Sequence, residues 1–513
     1  VSTERFYITT PIYYVNDKPH IGHAYTSIAC DILARYQRLL GKEVFFLTGT
    51  DEHGQKVESS AAKAGIEPQN FVDANAERFR LLTRQMNLSN DDFIRTTEKR
   101  HVLAAQAIWK KLEERGHIYL GSYAGWYSVR DEAFYNESEL VEGKAPTGAP
   151  VEWVEEPSYF FNLSRWQESL LEYYARHPEF IAPESRRNEV IKFVEGGLKD
   201  LSISRTSFRW GIPVPGDEKH IMYVWLDALV NYLTAAGYPD TESDSYRKWW
   251  PANIHMVGKD IVRFHAVYWP AFLMAADLPL PKRVVAHGWW TNEGQKISKS
   301  LGNVIDPVEL VEQYGVDAIR YFLMREVPFG NDGNFSRDAL IRRLNSELAN
   351  NFGNLAQRSL SMVAKHCNAA VPSYSKPLDT DEQLLNKAYS LHGEKISPSF
   401  EKQEFHKVLE AIVELGNEAN KYIDEQAPWT LRKTDIERME SVLYVLLEVQ
   451  RILALTLFPF MPEKMSFWLD SLAVSQEKRN YTSLNRESAL ISGTALPEPR
   501  PLFPRYQEEN HAG

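Results

Sequence analysis

With 513 residues, 43% of them hydrophobic and 25% charged, the chain has apolar material for about two to four domains, each with its own core. Its net charge of −11 gives no general attraction for nucleic acid, although such binding depends on local basic surfaces rather than on the sum. No apolar run reaches the ~20 residues of a membrane span, and the start lacks a basic-then-apolar leader. Cys30 and Cys367 are the only thiols, too few for a disulfide framework or a cysteine zinc site. A cytoplasmic location and no membrane partner are expected.

In chain order, Phe6, Tyr7 and Ile8 predict a strand, and Tyr25, Ile28, Ile32, Tyr36 and Leu39 recur at helical spacing up to a cap at Gly41. A strand over 44–47 and a helix over 70–86 follow, and this alternation predicts a doubly wound, Rossmann-like parallel sheet over 1–114. Between 115 and 219 the texture changes to aromatic-rich strands (123–135), a Gly/Pro turn (144–150) and a helix (166–176), which predicts an inserted domain. Over 220–290 the α/β pattern resumes, with helices at 225–235 and 262–275 and strands at 254–257 and 284–287. A loop and connecting segment fill 291–336. The last domain, 337–513, has a helical period over 337–469, with Val442, Leu446, Val449, Leu453 and Leu457 marking the apolar stripe of an α-bundle, and ends in a tail from 475. Leu502 and Phe503 predict that the Pro-rich tail docks.

Two motifs carry the chemistry. His20-Ile21-Gly22-His23 opens a helix just after a strand, where unpaired N–H groups and the positive dipole end suit a phosphate. With 14 His and 27 Gly in the chain, chance supplies about 0.02 such His-x-Gly-His matches, so the motif is specific. Lys296-Ile297-Ser298-Lys299-Ser300 is weak alone, because lysines and serines are common in solvated loops. Together they read as a site where the α-phosphate of ATP is attacked and pyrophosphate leaves. Asp51, after a strand and before His53-Gly54, could bind an ammonium group or cap the next turn. Ile261, His265 and Trp269, at i, i+4 and i+8, share a helix face; with Tyr14 and Trp225 they could be core or could enclose an unbranched thioether.

On these motifs the chain resembles the class I aminoacyl-tRNA synthetases and, more narrowly, the methionyl-tRNA synthetase family, over essentially its whole length. The resemblance implies a ligase that makes methionyl-adenylate from methionine and ATP, with Mg²⁺, and passes methionine to the initiator and elongator tRNAs. It implies a methionine pocket of Ile12, Tyr14, Asp51, Trp225, Ala228, Leu229, Tyr232, Ile261, His265 and Trp269, with Leu229 standing where several relatives have Pro. ATP is expected at His20, Gly22, His23, Gly258, Lys259, Asp260, His287, Gly288, Trp289, Lys296, Ser298 and Lys299. Of these, His20, His23, Lys296 and Lys299 would carry catalysis. Asn354, Arg358 and Trp429 are expected to read the anticodon.

Two departures sharpen the expectation. Relatives often bind zinc through paired Cys-x-x-Cys, but here those places read Ser128-Val129-Arg130-Asp131 and Ala145-Pro146-Thr147-Gly148, so no structural zinc is expected. The insert should then rest on apolar residues such as Trp126, Phe134, Trp153 and Phe160. The chain also stops soon after the helical region, which leads us to expect a monomer. Isoleucyl, valyl and leucyl enzymes would need a larger insertion, a cysteinyl enzyme would want zinc, and small nucleotidyltransferases would not need the helical region. A non-catalytic tRNA-binding protein would not need both phosphate motifs.

Overall fold

The structure, a computed structural model, describes residues 3–16, 18–298 and 300–507. Lys299 therefore lies outside the described residues. The chain divides into two compact units, one formed by Arg5–Cys30 and Val44–His287, the other by Val1–Glu4, Asp31–Glu43 and Gly288–Gly513.

The first unit is built on a seven-stranded sheet. Its order is Tyr13–Tyr14, Glu43–Asp51, Arg5–Thr9, Ile254–Gly258, Val284–His287 and Ile181–Ala182, with Asp92–Arg95 also paired to Glu43–Asp51. The pairings are parallel: Ile8 faces Ile254, Tyr14 faces Asp51, and Gly258 faces His287. The next strands in the chain lie on one side of Arg5–Thr9 and the later ones, Ile181–Ala182 onward, on the other, and the crevice beyond the carboxyl end at such a reversal of order is where these sheets bind ligands. The helix Ile21–Leu39 follows directly, its first half in this unit. Helix Val224–Ala236 is buried almost all round, and its apolar run explains why: it is a core helix without a solvent face.

The stretch expected as an insert forms a four-stranded antiparallel sheet in which Ile118–Ser128 pairs with Ala133–Tyr135 and with Glu152–Phe161. It also supplies Ile181–Ala182 to the edge of the parallel sheet, and its Phe161, Leu170 and Tyr174 join the same apolar core as Tyr7 and Val257. Where cysteine pairs were sought, a polar knot closes the tip. Asp131 accepts hydrogen bonds from Tyr135 Oη (2.8 Å) and Thr147 Oγ1 (2.5 Å), and its N–H donates to Ser128 Oγ. The apolar contribution is smaller than expected, because Trp153 is exposed and meets Trp126 only edge to face.

In the second unit, Trp290–Asn292 pairs with Gln295–Lys296 and Gly333–Phe335, so Lys296 ends a hairpin strand rather than lying in a free loop. The bundle comprises Asn354–His366, Asp379–Leu391, Phe405–Gln426, Ile436–Leu457 and Pro462–Ser471. Ile436–Leu457 is its central rod: the expected stripe is fully buried, and so are Glu448, Gln450 and Arg451 on its other faces. Those charges are paired, Arg451 Nη2 with Glu448 Oε2 at 3.0 Å, as burial demands. The tail docks as expected: Leu502 is buried, and Tyr506 exchanges two 2.8 Å bonds with the Asn345 amide.

Candidate active site

His20 and His23 fix each other. His20 N–H donates to His23 Nδ1 and Gly22 N–H donates to His20 Nδ1, both at 3.0 Å. A ring nitrogen that accepts carries no proton, so both imidazoles hold theirs on Nε2. The rings lie 3.9 Å apart, and His23 is wedged against Tyr13 and Phe79. Burial, aided by the His20 charge, pushes the His23 pKa well below its ordinary value, so it stays a neutral donor. The helix start differs from expectation. The N–H groups of Gly22, His23 and Ala24 are already used, by His20 Nδ1 and by His20 O, so the imidazole N–H groups take over the donor role expected of the backbone. Gly22 is required because a Cβ there would lie 2.8 Å from His20 Cε1.

Gly258 and His287 end adjacent parallel strands, and Asp260 folds back over Gly258, where a Cβ would meet its Oδ1 at 2.5 Å. His287 Nε2 lies 2.7 Å from Thr26 Oγ1, which itself reaches Gly22 O, so the His287 ring is tied to the same helix start as the histidine motif. Lys259, Asp260 and Ile261 form a 3₁₀ turn just beyond.

Ten residues were expected around an apolar pocket, and all lie in this unit. Segment 262–275 is not one regular helix: Phe264–Tyr268 is a π-helical turn leading into the α-helix Trp269–Ala275. Such turns are frequent at functional sites. His265 and Trp269 are fully buried there, while Ile261 is half-buried. The Trp225 ring stacks on Phe264 with centroids 3.9 Å apart and planes 6° from parallel. His265 Nδ1–H donates to Ile261 O (3.0 Å), so its Nε2 accepts from Tyr232 Oη (2.7 Å). Burial lowers the His265 pKa to about 4, so the pair is neutral. Trp269 Nε1 donates to His255 Nε2 (3.2 Å), and His255 Nδ1 is held by Thr9 at 2.7 Å. Ala228 and Leu229 line the same buried helix. A wall of uncharged groups, satisfied except at Trp225 Nε1, suits a thioether and repels an ammonium or carboxylate at that end.

The other end is different. Asp51 is 2% exposed, yet its Oδ1 has no hydrogen-bond partner, and neither do Tyr14 Oη and Trp225 Nε1. Burial, then the charges of Glu132 and Asp227, push the Asp51 pKa well above its ordinary value. Asp227 is the opposite case. Burial raises it, but the His53 charge and the hydrogen bonds of His101 and His53, both at 2.7 Å, outweigh that and hold it at about 2. Unsatisfied buried groups are rare and costly, and the Asp51 Oδ1 is able to accept from a ligand's cationic group.

The second unit holds the other expected residues. Gly288 is required by close backbone approach, since a Cβ would meet Asn331 O at 2.2 Å. Trp289 N–H donates to Asp332 Oδ1, leaving its ring 43% exposed, whereas Trp290 is buried against Phe322 and is core. Ser298 N–H donates to Asn303 Oδ1. Asn354 is exposed and Arg358 is half-buried, its Nη1 2.7 Å from Asp424 and its Nη2 bonded to Asn420. Trp429 is 43% exposed at the start of Pro428–Thr434, which excludes a core role. Sequence reasoning missed Glu132, Phe264 and His255. The last two sit in segments correctly read as a helix and a strand, but only the π turn and the side-chain bonds reveal their part.

The model for "tRNA synthetases class I (M)" matches residues 6–150 and 145–360, and the "Anticodon binding domain of methionyl tRNA ligase" matches 371–513. The methionine–tRNA ligase of Rickettsia felis is 59% identical over 511 residues, 98% of each chain. That of Mesorhizobium japonicum is 55% identical over 514 residues, 99% of each chain. The structure of Mycobacterium tuberculosis methionyl-tRNA synthetase in complex with methionyl-adenylate superposes with a TM-score of 0.96 at 51% identity, covering 98% of this chain and 100% of that one. A catalytic-region match and an anticodon-region match, in that order and over nearly the whole length, place the chain in the methionyl-tRNA synthetase family of class I aminoacyl-tRNA synthetases.

Proposed function

We propose that the residues described above divide the methionine–tRNA ligase reaction as follows. The methionine side chain lies among Ile12, Tyr14, Trp225, Ala228, Leu229, Tyr232, Ile261, His265 and Trp269. Its ammonium group meets Asp51, which leaves the carboxylate turned toward the nucleotide. ATP rests on Gly258, Lys259, Asp260 and His287, with Gly288 and Trp289 beside the base. The methionine carboxylate attacks the α-phosphorus, the bond to the bridging oxygen breaks, and pyrophosphate leaves. Nε2–H of His20 and of His23 donates to the oxygens on which charge builds, the kind of preorganised stabilisation that is usually the largest catalytic contribution. Lys296, Ser298 and Lys299 accompany the departing pyrophosphate. A terminal ribose hydroxyl of tRNA then attacks the carbonyl carbon and AMP leaves.

Among the described residues no group of three or more His, Cys, Asp or Glu side chains could hold a metal. Magnesium in such reactions is carried by the phosphates and keeps most of its waters; it would arrive with ATP and supply countercharge. Initiator and elongator tRNAs are the proposed macromolecular partners, read at Asn354, Arg358 and Trp429, and the protein would act as a monomer in the cytoplasm.

The unpartnered Asp51 Oδ1 is the observation that carries the amino-acid half of this reading. Asp51→Ala should abolish methionine-dependent exchange of pyrophosphate into ATP while the fold persists. Unchanged exchange by a folded Asp51→Ala would remove Asp51 from the site.

A further inference from the structure

One buried acid in the first unit has no part in the scheme above. Glu132 is 1% exposed, and both of its carboxylate oxygens lack a hydrogen-bond partner. It sits in the tight connection between Ile118–Ser128 and Ala133–Tyr135 with a φ of 49°, a left-handed conformation that Gly or Asn would adopt with less strain. Its backbone is pinned, because Tyr223 Oη donates to Glu132 O at 2.9 Å. Its carboxylate is aimed at the amino-acid site. A Cβ on Gly54, three residues after Asp51, would lie 2.5 Å from Glu132 Oε1. Tyr14, the register partner of Asp51, feels both carboxylates. Thus Asp51 Oδ1, both Glu132 oxygens, Tyr14 Oη and Trp225 Nε1 are all buried without a well-formed hydrogen bond, the Tyr14 hydroxyl only leaning on the Glu132 carboxylate. Such a lining can take a polar ligand.

The balance of charge says what the molecule carries. Two neighbouring carboxylates in a buried site cannot both ionise unless a cation joins them. The charged or titratable groups around Glu132 are Tyr14, Asp51, Lys56, Tyr127, Tyr223 and Asp227. Asp227 already has His53 and His101 as partners, and Lys56 reaches Arg130 O and lies 5.9 Å from the Tyr14 ring. Lys56 lowers Glu132, but by less than burial raises it, so the pair is not neutralised. Burial raises Glu132 to about 7, which puts its proton in the physiological range.

We propose that Glu132 is a positioning residue for the amino-acid substrate, forming with Asp51 a buried carboxylate pair that holds one proton in the free site and releases it to solvent when the substrate's ammonium group binds. The substrate keeps its own proton; only the O–H bond of the carboxyl pair breaks. This rests on the reading that Asp51 faces the ammonium group, and it adds that substrate capture is coupled to pH through a residue outside the known motifs.

The test is calorimetric titration of the intact chain with methionine, and with methioninol, which keeps the ammonium group and lacks the carboxylate. Each is run in buffers of different ionisation enthalpy, so that the protons released per bound ligand are counted directly. The release should reach at most one proton per ligand and should be several-fold greater at pH 6.5 than at pH 8, because a carboxyl raised toward neutrality is already ionised at the higher pH. Both ligands should show this release, and Glu132→Gln should cut it by more than half at pH 6.5. The parent protein alone already decides the matter should that variant fail to fold. Methionine binding without proton release at pH 6.5, or a release in Glu132→Gln that stays above half the parent value, overturns the proposal. Absence of any methionine binding overturns the function proposed above instead.

Discussion

Single side chains in this protein owe their chemistry to what already occupies their other atoms. His20 and His23 are donors through Nε2 because each Nδ1 is taken by a backbone N–H. Gly22 makes that possible by leaving room for the His20 ring. Gly22→Ala should therefore displace one donor without unfolding the helix, lowering methionine-dependent exchange by about 10²- to 10³-fold, the usual loss for one transition-state donor. The check is exchange kinetics beside a melting curve; an activity within threefold of the parent would mean that the ring is not held as described. The motif itself was plain in the sequence, since its spacing is improbable by chance. The direction of its donors was not, because which nitrogen carries a proton depends on contacts that no spacing encodes.

Elements show the same division between pattern and detail. Strands such as Val284–His287 and the helix at 225–235 follow from apolar runs and period, and they fall within a residue or two of expectation. The π turn at Phe264–Tyr268 does not, because a one-residue widening leaves the apolar spacing almost unchanged. It has a measurable consequence. His265, buried within it, has its pKa lowered to about 4 from 6.5 by burial. A histidine depressed in the folded state is protonated first in the unfolded chain, so stability is lost as pH falls from about 6.5 toward 4. By pH 5 this amounts to about 2 kcal/mol. His265→Gln should flatten the fall in melting temperature between pH 7 and pH 5, and an unaltered slope would place the acid sensitivity elsewhere. The insert's tip offers a second case. With Asp131 accepting from Tyr135 and Thr147, the polar knot rather than a metal is proposed to close it. Elemental analysis should find no stoichiometric zinc; one zinc per chain would contradict this. Asp131→Ala should cost about 0.5–1.5 kcal/mol by removing those bonds, since the exposed Thr147 hydroxyl can turn to water.

At the scale of the whole molecule, two compact units hold different parts of the proposed machinery, the histidine motif and the apolar pocket in one, Lys296, Ser298 and Trp429 in the other. An exposed indole fixed by Pro428 at a helix start can stack on a base, and losing such a stack costs about 1–3 kcal/mol, or roughly 5- to 150-fold in affinity. Trp429→Ala should lower tRNA charging by one to two orders of magnitude while exchange and melting temperature stay near the parent values. A parallel fall in all three would mean that the residue supports the fold. The layout of the parallel sheet and of the bundle was legible because apolar periodicity reports burial. The unit boundary at His287–Gly288 was not, since nothing in that composition changes there. Nor was Glu132, an ordinary acid in a turn whose burial depends on Gly54 and Tyr223, far away in sequence.

The central claim is that this chain selects methionine and activates it with ATP, and it meets its most direct test in the exchange of labelled pyrophosphate into ATP, screened over all twenty amino acids without tRNA. Methionine alone should support rapid exchange, because a neutral aromatic wall at one end and unpartnered carboxylates at the other fit an unbranched thioether bearing an ammonium group. Rapid exchange with a different amino acid, or none with methionine, would contradict the account.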